Sequence, residues 1–263
     1  MSLVTAQTGT SAKERYSFSK LSSWRTCPYG WKLRYIDGRS GEGNAFSSYG
    51  TFVHGIMERY ANGELEIWDL PNVYEWEFES AIPEKFPKIA KLNMKDNYYK
   101  QGLSFLKEFE GYDKYEILDV ERSFDIDIDD WTFNGVIDLV FRDEAGRLII
   151  RDYKSKASFT SKKEKAEYAR QLYLYSMYVK EKYGEYPAEL QFLMFRKNDL
   201  VVIPFDPAGV EEAINWAREI VAEIREAFDY PPMCRFQTKN DTFYADNLCN
   251  HRGYCEFKAG RED

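Results

Sequence analysis

Apolar positions in the first part of the chain recur at the helical period of about 3.6 residues, then change to a period of two near Tyr115. Leu21, Trp24, Trp31 and Tyr35 form a stripe that predicts helix from Ser17 to Ile36. Ser17 or Ser19 is its N-cap, and Pro28, directly after Cys27, breaks it. A Gly/Ser-rich loop over Gly38 to Gly50 leads into a second helix, Tyr49 to Tyr60, with Val53, Ile56, Met57 and Tyr60 on its apolar side. Leu70 to Pro87, with its prolines and aromatics, reads as a connecting segment, and Asn93 to Phe109 as a third helix.

From Tyr115 onward, alternation predicts strands over Glu116 to Ile128, Phe133 to Phe141 and Leu148 to Tyr153. Turns at Asp129-Asp130 and Glu144 to Arg147 make these an antiparallel meander. Lys165 to Tyr183 is helical, Leu190 to Arg196 and Leu200 to Phe205 form a hairpin, and Pro207 to Phe228 is a long helix stopped by Tyr230-Pro231-Pro232. This order predicts an α/β fold with a mixed central sheet and helices on its faces.

The 263 residues are 44% apolar and 17% aromatic, ample for a core and against global disorder. One α/β domain with decorations is expected, after a loose tail over residues 1–15. No apolar run reaches membrane-spanning length and the opening lacks a signal-peptide pattern, so the cytoplasm is the expected compartment. There, four cysteines read as thiols or metal ligands rather than disulfides. The net charge of -8 excludes a uniformly basic surface. It does not exclude nucleic acid, because local patches do the binding. Lys13, Arg15, Lys20, Arg25, Lys32, Arg34 and Arg39 stand against only Glu14 and Asp37 in the first forty positions, a local +5.

The chemistry concentrates in the meander. Asp138 lies in the apolar run Gly135 to Val140, and Asp152-x-Lys154 ends the next strand, so Asp152 and Lys154 leave the same face. Buried charges in a strand need compensation, and a divalent metal held by carboxylates supplies it. Acid-x-Lys occurs once more, at Glu256-x-Lys258, but without a strand-like run before it. His54 and Glu58 share a helix face. A plain Asp152–Lys154 salt bridge and a packed, structural His54 are the alternatives on these patterns alone.

Five stretches, in order, resemble the PD-(D/E)xK nuclease superfamily, and within it the RecB-like branch that includes the AddB nuclease domain and the CRISPR-associated iron–sulfur exonucleases. They are Ser17 to Leu21 through Cys27-Pro28, Gly50 to Glu58, Gly135 to Asp138, Ile150 to Lys154, and Gln171 to Tyr175. The resemblance implies a restriction-endonuclease-like core and a Mg²⁺ or Mn²⁺ site made by Asp138, Asp152, His54 and the Tyr153 carbonyl. It makes Lys154 the catalytic lysine, Gln171 and Tyr175 positioning groups for strand or water, and Glu58 a support. Cys27, Cys234, Cys249 and Cys255 would hold a [4Fe–4S] cluster. Asp246 stands where relatives carry a further cysteine, so zinc with His251, or no metal, are alternatives at that place. Residues 16–263 then form one nuclease domain, 49–229 the core, with 16–48 and 230–263 as a cysteine clasp. The implied activity is exonuclease action on single-stranded DNA or DNA ends, with Lys154, Lys156, Lys162, Lys163 and Lys165 along the backbone. A catalytically silent DNA-binding or assembly subunit is the rival. No phosphate-binding Gly-Lys-Ser/Thr loop is present, so any helicase action must come from a helicase or recombination partner.

Overall fold

The computed structural model describes residues 13–233 and 239–259. Its centre is a six-stranded mixed sheet of β1 (Arg15–Ser17), β2 (Glu116–Ile128), β3 (Trp131–Arg142), β4 (Leu148–Lys154), β5 (Glu189–Met194) and β6 (Asp199–Pro204). β2 runs antiparallel along the whole of β3. The other edge of β3 is shared: β1 pairs in parallel with Thr132 to Asn134, and β4 antiparallel with Leu139 to Arg142. Gly135 to Asp138 thus lie where the sheet forks. β5 continues parallel to β4, and β6 closes the sheet antiparallel to β5.

Helices cover both faces. α1 (Phe18–Thr26), α2 (Pro28–Tyr35), α6 (Lys162–Tyr183) and α7 (Pro207–Glu226) enclose one core with Trp131, Phe133, Ile137, Leu172 and Phe192. α3 (Ala45–Ala61), α4 (Leu70–Ala81) and α5 (Met94–Glu108) enclose the other with Leu139, Phe141, Tyr153 and Phe195. Ile137 belongs to the first core and Leu139 to the second, so the β2–β3 ribbon changes layers at Asp138. Val120 pairs with Leu139 and Arg122 with Ile137, which sets Glu121 opposite Asp138. Glu121 sits there at φ 43°, a left-handed conformation rare for a residue within a strand.

Ser17 caps α1 and Cys27 caps α2, so the break at Pro28 falls where the sequence predicts it. Three of the differences from expectation follow from local chemistry. The second predicted helix begins four residues earlier, because Asn44 and Ser47 form a reciprocal cap. The expected connection Leu70 to Pro87 contains α4: Pro71 occupies the first turn, where it needs no donor, and Leu70, Tyr74 and Phe78 repeat every fourth residue as its buried face. The loose tail expected over residues 1–15 does not reach Arg15, which begins β1, or Glu14, whose carbonyl accepts from the Thr132 N–H at 2.9 Å, while residues 1–12 lie outside the described residues. Short helices α8 (Lys239–Asn247) and α9 (Glu256–Ala259) follow the long α7. Among the described residues, no helix is long and apolar enough to cross a membrane.

Candidate active site

The fork in the sheet gathers the acids. Asp138 leaves β3 where the ribbon changes layers, and its Oδ2 accepts the Tyr153 backbone N–H at 2.7 Å. Burial, and then the Asp152 carboxylate, push the Asp138 carboxyl up to about 7. His54 reaches the same place from α3. Its Nδ1 lies 3.4 Å from Asp138 Oδ2 and 3.9 Å from Glu121 Oε1. The edges of Tyr153 and Phe195 fix the imidazole plane. Burial disfavours a charged His54, but Glu121, Asp138 and Asp152 more than offset this, so its pKa is raised.

Asp152 is only 3% exposed. Lys154 Nζ lies 2.6 Å from its Oδ2, yet off the direction a hydrogen bond requires, so this buried oxygen has no hydrogen-bond partner among the described residues. The lysine is held from three further sides: Gln171 Oε1 accepts from it at 3.2 Å, and the rings of Tyr168 and Phe192 face it at 5.1 and 5.7 Å. Gln171 in turn donates to the Tyr175 hydroxyl at 2.9 Å. The Tyr175 ring rests on Phe124 across Gly135, where an added Cβ would lie 2.7 Å from Phe124 and 2.8 Å from Tyr175. Burial raises the Tyr175 phenol pKa well above its ordinary value.

His54, Asp138, Asp152, Lys154, Gln171, Tyr175 and the Tyr153 main chain therefore converge. Glu58 does not join them: it lies one turn along α3 and its side chain has no ion pair or hydrogen bond among the described residues. The carboxylate beside His54 is Glu121, which is not among the site residues expected from the sequence. The signal was present, since a turn at Asp129-Asp130 sets Glu121 opposite Asp138 by counting back along the hairpin. Among the described residues, His54, Glu121 and Asp138 are the one group of three or more His, Cys, Asp or Glu whose ligand atoms lie within 4.8 Å of one another. Imidazole and carboxylate oxygens suit a hard divalent cation, and the unsatisfied Asp152 oxygen and the charge repulsion at Asp138 are what such a cation would relieve. The residues fit the metal.

The lysines expected along a nucleic-acid backbone are not all free. Lys156 is engaged by Glu164 and by the Tyr168 ring at 4.8 Å, and Lys163 faces Glu167 at 4.0 Å.

Cys27, Cys249 and Cys255 are unpaired, half-buried, and line one cavity of about 500 Å³ with Tyr29, Trp31 and His251. Burial pushes the Cys249 thiol up, and Cys255 and Cys27 push it further. Cys234 lies outside the described residues. The three described thiols and His251 do not converge within 4.8 Å, and His251 Nδ1 lies 2.7 Å from the Tyr254 hydroxyl.

The fold resembles a protein from Eubacterium rectale provisionally described as an exonuclease, with 16% identity, 90% of this chain and 94% of that chain covered, and a TM-score of 0.53. The protein SSO0001 aligns at 13% identity over 95% and 89% of the two chains, with a TM-score of 0.41. Comparison with curated proteins gives no match. The sequence profile of the PD-(D/E)XK nuclease superfamily matches residues 15–259, nearly the whole described chain. With two acids, a lysine and a histidine at the fork of its sheet, the chain belongs to the PD-(D/E)XK nuclease superfamily.

Proposed function

We propose that the protein is a Mg²⁺- or Mn²⁺-dependent DNA nuclease, acting as an exonuclease on single-stranded DNA or DNA ends. The observation that carries this reading is the buried Asp152 oxygen beside Lys154, with no hydrogen-bond partner among the described residues and close enough to a second acid, Asp138, to help raise the pKa of Asp138. Asp138, Asp152, His54, Glu121 and the Tyr153 carbonyl would hold the cation. When bound, the cation supplies Lewis-acid charge at the phosphoryl oxygen and acidifies a water. Lys154 places a positive charge beside Asp152 and orients the attacking water toward the phosphorus. Gln171, bonded to both Lys154 and Tyr175, keeps the ammonium from swinging away as the phosphate enters.

The test uses end-labelled single- and double-stranded DNA with Mn²⁺, wild type beside Asp152→Ala. Degradation by wild type alone supports the site, equal degradation by both rejects it, and degradation by neither favours a DNA-binding or assembly subunit.

Residues 16–263 would act as one nuclease domain, with 49–229 as core. The segments 16–48 and 230–263 would be clasped by a [4Fe–4S] cluster on Cys27, Cys234, Cys249 and Cys255. The shared cavity of the three described thiols supports this. Anaerobically purified protein should be brown and lose its colour with Cys27→Ser. Colourless protein with stoichiometric zinc would overturn it. The setting proposed with this activity is cytoplasmic, in recombination, repair or spacer processing, with a helicase or recombination protein as partner.

A further inference from the structure

Of six tryptophans in the chain, two are left in solvent, and both belong to the same stretch of surface. Trp76 on α4 is 87% exposed, and Trp68, in the short 3₁₀ turn Ile67–Asp69 that leads into α4, is 69% exposed. Eight positions separate them, roughly 12 Å along a helical rise. Leu70, Tyr74 and Phe78 take the inward face of α4, so the indoles contribute nothing to the core beneath. A covered indole removes some 150–250 Å² from water, and tryptophan is the residue most enriched where partners bind tightly.

The charge around the indoles says what would cover them. Residues 60–84 contain Glu64, Glu66, Asp69, Glu75, Glu77, Glu79 and Glu84, and neither lysine nor arginine. Arg59 answers Glu77 at 3.0 Å and Lys95 answers Glu79 at 2.5 Å. Glu64, Glu66, Asp69 and Glu75 have no ion-pair partner among the described residues. Such a face repels a phosphate backbone and an anionic lipid surface alike. It attracts guanidinium and ammonium groups, which also bind over indole faces.

We propose that the α4 face docks a basic segment of a protein partner, whose Arg or Lys side chains cover Trp68 and Trp76 and pair with the surrounding acids. The site lies on the outer side of the α3–α5 layer and does not depend on the nuclease reading.

The probe is a labelled amphipathic peptide of Leu, Lys and Arg, titrated into the full-length protein and read by anisotropy and by indole emission. An otherwise equal peptide with Glu for every base and a single-stranded DNA oligonucleotide serve as comparisons. The variants are Trp68→Ala/Trp76→Ala and Glu64→Lys/Glu66→Lys, with circular dichroism to establish that both fold. The expected result is saturable binding of the basic peptide, weakened at least about tenfold by either variant and weakened by salt, with no binding of the acidic peptide. Absence of peptide binding by the wild type, equal binding by the tryptophan variant, or DNA binding lost with the two indoles would each overturn the proposal.

Discussion

The backbone N–H of Tyr153 donates to Asp138 Oδ2 at 2.7 Å, and His54 Nδ1 approaches that same oxygen at 3.4 Å. Main chain thus orients one oxygen of Asp138 whatever its charge. Asp138→Asn can keep the bond through its carbonyl, so the variant should fold with a melting temperature equal to or above that of wild type, because the repulsion from Asp152 is gone. Its Mn²⁺ affinity by calorimetry should fall by at least about tenfold. An unchanged affinity would remove Asp138 from the metal site.

Glu121 and Glu58 separate the structural reading from the sequence one. Glu121→Gln should weaken Mn²⁺ binding by about 10- to 100-fold, the range for groups that orient or complete a metal site. Glu58→Gln should leave it unchanged. The reverse ranking would return Glu58 to the role the sequence suggested.

Gly135→Ala places a methyl group 2.7 Å from Phe124 and 2.8 Å from Tyr175, both buried rings. Overpacking of this kind costs about 1–3 kcal/mol. Thermal denaturation should show that loss, and nuclease activity should fall further than stability does, because Tyr175 holds Gln171 and Gln171 holds Lys154. A variant as stable and active as wild type would mean the rings give way freely.

Glu164 links acid pH to the start of α6. Burial opposes its charge, but Lys156 and Thr160 more than offset that and depress its pKa, while the same pairing raises that of Lys156. The glutamate's contribution to stability is therefore present above its ordinary pKa of 4.5 and is lost as pH falls through the depressed value. The lysine's is present below 10.5 and lost as pH rises through the raised value. Glu164→Gln should be less stable than wild type by about 1–3 kcal/mol at neutral pH, with the two curves converging in acid. A constant gap across pH would show that the carboxylate's charge contributes nothing.

The two acids, the lysine and the histidine were legible because each sits in a run whose period is clear: Leu148 to Ile150 before Asp152, Val53 and Ile56 around His54. Glu121 was legible only by counting register back from the Asp129-Asp130 turn, because alternation along β2 changes sense at its left-handed backbone and no residue type announces such a conformation. α4 was hidden by Pro71, which breaks helix interiors but starts helices well. The parallel pairing of β1 with β3 was out of reach for a different reason. Three residues carry no period, and their partner lies more than a hundred positions away.

That pairing has a consequence for synthesis. β1 and α1 are secured by residues near the far end of α7: Arg225 pairs with Glu14 at 2.6 Å, and Glu223 with Arg25 and the Trp24 indole at 2.9 and 3.0 Å. On the ribosome the first strand can pair with β3 once that strand has emerged, but Glu14, Trp24 and Arg25 wait for α7 to supply their partners. An unfinished chain, even one that already contains Asp138, Asp152 and Lys154, lacks the wall beside the fork. Cutting power would therefore arrive late in translation, when the two ends meet.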